Sequence, residues 1–174
     1  MKKYFLFVVA IVAIVVMASG CTSQTGNNST ATKTYSANGI SFNYPSSWAI
    51  LNETSNENAT IVAIGDANST QNNTTTGSGV VIYKLKTNNS ASDLSNFSKS
   101  IRSLNGTMST DSIAGLTANE TTYNETGNNV TAKIKVIYFA KNNNIYLIQY
   151  VTIGSDFQTQ QQLFDTITKS FQAS

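Results

Sequence analysis

Val130 to Ile153 reads Val-Thr-Ala-Lys-Ile-Lys-Val-Ile-Tyr-Phe-Ala-Lys-Asn-Asn-Asn-Ile-Tyr-Leu-Ile-Gln-Tyr-Val-Thr-Ile. Two apolar runs, Val130 to Ala140 and Ile145 to Ile153, flank Asn142, Asn143 and Asn144. In an extended chain Ile134, Val136 and Tyr138 lie on one face, and Ile137 and Phe139 on the other. Tyr146, Ile148 and Tyr150 alternate with Ile145, Leu147 and Val151 in the same way. The asparagines between the runs predict a hairpin. Both faces of this hairpin are apolar, so both need a cover. The economical solution is an α+β fold: an antiparallel β-sheet flanked by helices, an α/β/α sandwich.

Two segments have the periodicity of the cover. In Ser92 to Leu104, the residues Leu94, Phe97, Ile101 and Leu104 share one helical face. Ser92 is placed to cap that helix, Asp93 suits its positive end, and Asn105-Gly106 suits its stop. Ser155 to Phe171 is the second helix, with Ser155 and Gln158 as a capping box and Phe157, Phe164, Ile167 and Phe171 as its stripe. Further strands are expected at Ile40 to Tyr44, ended by Pro45, then at Trp48 to Ile50, Thr60 to Gly65 and Val80 to Leu85. Asp66 to Ser78 reads as a polar loop. Thr107 to Ala114 and Leu116 to Tyr123 are weaker strand patterns about a turn at Gly115.

The N-terminus has another character. Met1, Lys2 and Lys3 precede an unbroken apolar run from Tyr4 to Met17, then Ala18-Ser19-Gly20-Cys21. The run has the length of a signal h-region and is short of the ~20 residues that span a bilayer. The small residues before Cys21 resemble a lipobox, in which the cysteine becomes the lipid-bearing first residue. Residues 1–20 are therefore expected to be a lipoprotein signal peptide, with lipidation at Cys21; an uncleaved membrane anchor is the alternative. Residues 21–34, polar and without periodicity, read as a flexible tether. Residues 35–174 are the globular domain.

Composition narrows the chemistry. The chain of 174 residues has 11 Lys and Arg against 9 Asp and Glu, a formal charge of +2. Removing Lys2 and Lys3 with the signal leaves 9 against 9, a neutral chain. That argues against a nucleic-acid partner, which needs a basic surface. There is one Cys and no His, so internal disulfides, Ser-His-Asp triads and Cys/His zinc sites are excluded.

Gly39-Ile40-Ser41-Phe42-Asn43-Tyr44-Pro45-Ser46-Ser47-Trp48 resembles the opening of PsbP-like domains. Ile113 to Glu120 looks like the central segment of that family. Val136 to Phe139 with Ile145 to Tyr150 looks like its final hairpin, and Phe164 to Phe171 resembles its closing helix. The resemblance runs from about residue 35 to the C-terminus and implies the Mog1/PsbP-like fold, an antiparallel sheet between helices. Plant members assist photosynthetic oxygen evolution and Mog1 proteins bind a small GTPase. No functional residue carries over from either.

Candidate sites follow from residue type. Asn-x-Ser/Thr sequons are abundant, among them Asn52, Asn58, Asn68, Asn73, Asn88 and Asn124, as candidate glycosylation sites. The competing explanation is chance in an Asn- and Thr-rich chain. Trp48 and Tyr44 are candidates to line a sugar or peptide groove, against the plainer reading as core. Glu53 and Glu57 read as loop acids. Asp66-Ala67-Asn68 is only a fragment of a calcium loop, so neither metal nor cofactor is expected. Lys84 with Lys86, and Lys133 with Lys135, have strand spacing; the simpler reading is a solvated edge that blocks aggregation, and the other an anionic partner. With no His as general base and no paired acids, the chain is expected not to be an enzyme. The leading expectation is a lipid-anchored, extracytoplasmic interaction or accessory domain, exported to the outer face of the membrane, with an envelope protein as partner. The alternative is a small-ligand-binding carrier with a cavity between sheet and helices.

Overall fold

A computed structural model of the chain describes residues 31–66, 70–71, 74–75, 77–104, 106–127, 130–154 and 157–174. The signal peptide, Cys21, most of the tether, Asn68, Asn73 and the Ser155 cap lie outside the described residues.

The elements are β1 (Thr32–Ala37), β2 (Ile40–Pro45), β3 (Trp48–Ser55), β4 (Ala59–Asp66), β5 (Thr70–Gln71), β6 (Thr74–Thr75), β7 (Gly77–Lys86), α1 (Ser90–Arg102), β8 (Thr107–Ile113), β9 (Leu116–Gly127), β10 (Val130–Lys141), β11 (Asn144–Ile153), α2 (Phe157–Ser170) and β12 (Gln172–Ala173). Seven strands form one antiparallel sheet in the order β3-β4-β7-β11-β10-β9-β8. The predicted hairpin is β10–β11, with Ile137 opposite Ile148 and Tyr138 opposite Leu147. Its turn is Asn142-Asn143, at φ 50° and 56°. Asparagine tolerates that left-handed backbone, which is why the turn falls there.

Strand alternation sorts the sheet into two faces. One carries Val62, Ile64, Val80, Ile82, Ile137, Phe139, Tyr146, Ile148 and Tyr150, packed with Phe157, Phe164, Ile167 and Phe171 of the C-terminal segment. The other carries Ala63, Val81, Tyr83, Ile134, Val136, Tyr138, Ile145 and Leu147, packed with Ile101 and the half-buried Leu94 and Phe97 of α1. Each fully buried side chain of this size contributes about 1.5–3 kcal/mol.

The cover differs from expectation on one face. Beside α2 lies a second sheet, in the order β1-β2-β12, so that layer is helix plus sheet rather than helix alone. Three of the expected tether residues, Thr32 to Thr34, belong to β1. Only Tyr35 of that strand is buried, so periodicity could not reveal it. What holds β1 is backbone pairing to β2 and the Tyr35 ring stacked 5.0 Å from Phe42. The helix cap also differs: Asn89, not Ser92, caps α1, its side chain accepting from the Ser92 N–H at 3.1 Å. Asp93 sits in the first turn as expected.

Candidate functional site

The groove expected at Trp48 and Tyr44 is corrected. Trp48 is 2 % exposed and Tyr44 7 %, both inside the core under α2. Ile40, Phe42 and Tyr44 share the buried face of β2, and the indole joins them from the start of β3. Both rings are spent on the core, and neither is free to stack on a ligand there.

The lysine pairs are corrected as well. β7 and β10 are interior strands of the sheet, so neither pair guards an edge. Lys133 Nζ lies 4.5 Å from the centre of the Phe157 ring, and Lys135 Nζ 5.5 Å from that of Phe164. Lys135 also pairs with Glu120 at 2.9 Å in a largely shielded setting. A cation over a ring face lets these stems pass beneath α2 while the charge stays compensated. Lys84 Nζ donates to the Asn38 carbonyl at 2.8 Å.

Several carboxylates are structural too. Glu53 lies on β3 rather than in a loop, and accepts from Tyr35 Oη at 2.8 Å and Asn38 Nδ2 at 3.1 Å. Burial, and then the Glu53 bond, push the Tyr35 hydroxyl above its ordinary range. Asp165 pairs with Lys169 at 3.3 Å, and Asp93 accepts from the Thr87 hydroxyl. Among the described residues no three acids or cysteines gather around a common point that could hold a metal.

Of the candidate glycosylation sites, Asn52, Asn58, Asn88 and Asn124 are all exposed. Asn52 lies on β3 and Asn124 on β9; Asn58 precedes β4 and Asn88 precedes α1.

Two further features have no signature in the sequence. An open hollow of about 440 Å³ lies among Lys141, Lys169, Ser170 and Gln172. Both of its cations are engaged, Lys141 Nζ with the Ala173 carbonyl and Lys169 with Asp165. Tyr83, in the core cluster that packs on α1, and Thr121 have side-chain oxygens that are buried without a hydrogen-bond partner among the described residues. Burial pushes the Tyr83 hydroxyl up strongly, and burial followed by the Glu125 charge pushes Tyr123 up to about 12.

The two ends of the large sheet contrast. β3 shifts register between Ile50 and Asn52, a bulge that spoils it as a template. Lys33 Nζ occupies the Trp48 carbonyl at 3.2 Å, and Tyr35 and Asn38 hold Glu53. β8 pairs with β9 without a bulge, and Thr107 to Ser112 are all exposed. It turns into β9 through Ala114 and Gly115, at φ 53° and 75°.

A family model described as PsbP-like protein matches residues 6–173. No curated protein matches the sequence. Among solved structures, LpqN of Mycobacterium tuberculosis, described as involved in cell envelope biogenesis, superposes at TM-score 0.52 with 15% identity, over 83% of this chain and 91% of that one. The Ran-binding protein Mog1p of Saccharomyces cerevisiae superposes at 0.50 with 15% identity, over 83% of this chain and 96% of that one. The cyanobacterial PsbP of Synechocystis aligns at 0.44 with 18% identity, over 88% and 98%. At these identities the likeness of the first two is one of fold, an antiparallel sheet with, among the described residues, two helices, of the Mog1/PsbP type.

Proposed function

The chain belongs to the PsbP-like protein family, and from that premise we propose that it is a non-enzymatic accessory domain of the cell envelope, exported and held to the outer face of the membrane by a lipid on Cys21. The observation that carries this reading is how the interior is filled. Tyr150 stacks on Phe164 at 5.0 Å, Phe139 on Tyr146 at 5.2 Å, and Phe171 meets Phe139 and Tyr146 edge-on at 6.0 Å. A carrier needs a cavity between sheet and helix. Here that layer holds the protein's own rings, so what the domain offers a partner is its surface. The envelope role described for LpqN supports the same reading. Protein partners are also in keeping with Mog1p, which is described as binding Ran.

Two measurements test it. Metabolic labelling with a fatty-acid analogue should mark the native chain and be lost in Cys21→Ser, which should also leave the membrane fraction; labelling that persists in the variant contradicts the anchor. Native mass spectrometry of the chain extracted from its membrane should give the mass of the covalently modified polypeptide with no non-covalent ligand. A stoichiometric small molecule retained with it would favour the carrier instead.

A further inference from the structure

We propose that β8 is a docking edge for an extended, basic segment of a partner protein, which adds to the sheet as an eighth strand. The inference deepens the accessory reading by naming the surface and the chemistry of what it receives.

Hydrogen-bond geometry shows which backbone groups of β8 face outward. Ile113 and Leu116 close a two-residue turn opposite one another. In such a turn the closing pair exchanges both bonds, so Ile113, Asp111, Ser109 and Thr107 point their backbone groups at β9. Ser112, Thr110 and Met108 then point theirs away from the sheet. An independent contact agrees: the Ser112 N–H donates to the Asp111 carboxylate at 2.7 Å and not to β9. The edge therefore offers the N–H and C=O groups of Met108 and Thr110 outright, and the Ser112 N–H behind a carboxylate latch.

Side chains select the occupant. Asp111 is the only charged residue of β8. It shares a sheet face with Ser109, whose hydroxyl donates to Glu120 at 3.1 Å. A second copy paired about Thr110 would set its own Asp111 against Ser109, bringing two Asp111 carboxylates, neither with a cation on β8 to offset it, close to one axis, while each Glu120 stays neutralised by its own Lys135. Like charges so placed destabilise the pair. A Lys or Arg on the incoming strand has the opposite effect: it draws the Asp111 carboxylate and releases the Ser112 N–H for pairing. On the other face Met108, 37 % exposed, supplies an apolar contact. The fitting segment thus alternates, with a basic residue on the Asp111 face and an apolar residue on the Met108 face. Recognition by strand addition takes its affinity from the main chain and its selectivity from such alternate side chains.

The test uses the full chain in mild detergent, titrated with a capped seven-residue peptide alternating valine and lysine, and with its valine–glutamate counterpart. Amide exchange read by NMR should show new protection at Met108, Thr110 and Ser112 with the basic peptide. Ile50, Asn52 and Glu53 on the opposite edge should not change. Thr110→Pro removes an outward N–H at a position where an edge strand tolerates proline, and should weaken binding about tenfold or more. Asp111→Lys should do so with the fold unchanged, which keeps the test decisive if the proline variant does not fold. Protection on β3, equal binding of the acidic peptide, or binding untouched by Asp111→Lys overturns the proposal. So does a dimer in light scattering that Thr110→Pro dissolves, since the occupant would then be a second copy. None of these failures bears on Cys21 labelling, so the accessory reading stands or falls separately.

Discussion

At one end of the seven-stranded sheet, β3 buries Trp48 to 2 % exposure, shifts register between Ile50 and Asn52, and is tied down by Lys33, Tyr35 and Asn38. At the other end, β8 buries only Ile113 and has no bulge and no cation. Among the described residues both strands lack a neighbour on their outer side, and an unprotected outer side invites pairing with another chain. The protein protects one and leaves the other with a single carboxylate across it. The difference teaches where the domain can meet a partner without unfolding anything: at the strand that holds little of the core together.

The sharpest way to break that contrast is at Trp48. Trp48→Ala leaves a large cavity under α2 and should cost about 3–5 kcal/mol, read as a lower denaturant midpoint. A cost below about 1 kcal/mol would mean that β3 is not anchored by the indole. Tyr35→Phe removes the bond to Glu53 and should cost about 1 kcal/mol. The same residue contributes, with Tyr83, Tyr123 and Tyr146, to an alkaline limit. Its hydroxyl ionises later in the folded chain than in the unfolded one, whose value is near 10. Stability from Tyr35 is therefore present below pH 10 and falls as pH rises above it. Tyr35→Phe should make that fall shallower in a pH series of thermal melts, the other buried tyrosines keeping the remainder, and an unchanged slope would contradict the assignment.

On the β8 side the effects shrink. Ala114 sits at φ 53°, where a Cβ is strained. Ala114→Asn should stabilise by about 0.5–1 kcal/mol, since asparagine accepts that conformation more readily; a loss of stability would contradict the strained turn. Smallest of all, Ser109→Ala and Thr110→Ala should stay within about 0.5 kcal/mol of the parent. Larger losses would show that β8 is part of the folding core and not a bare edge.

Legibility in the sequence varies by element. The β10–β11 hairpin and the stripe of α2 are plain, because dense apolar alternation and the helical period leave few alternatives. The run from Gly39 to Trp48 carries the family resemblance by its residues alone. Strand order is not legible. Lys133 and Lys135 have the spacing of an edge strand, but β10 is central and their stems pass under Phe157 and Phe164. Trp48 and Tyr44 have the residue types of a groove and the positions of a core, and burial decides between them. β8 suggests no function in sequence because Thr-Met-Ser-Thr-Asp-Ser-Ile has no reactive side-chain pattern. Its interest lies in backbone groups, and only the sheet order shows that they are open. Asn89 escapes notice as a cap because the helix begins two residues before Ser92, where its apolar pattern suggests a start.

A selective open edge at β8 is tested most directly by placing one photo-crosslinking residue at Thr110 and, in a separate variant, at Asn52, and irradiating intact envelopes. Crosslinks to a partner should form from position 110, be absent from position 52, and disappear when Asp111→Lys is added. Equal crosslinking from both edges, or crosslinks at 110 that survive the charge reversal, would contradict a selective open edge at β8.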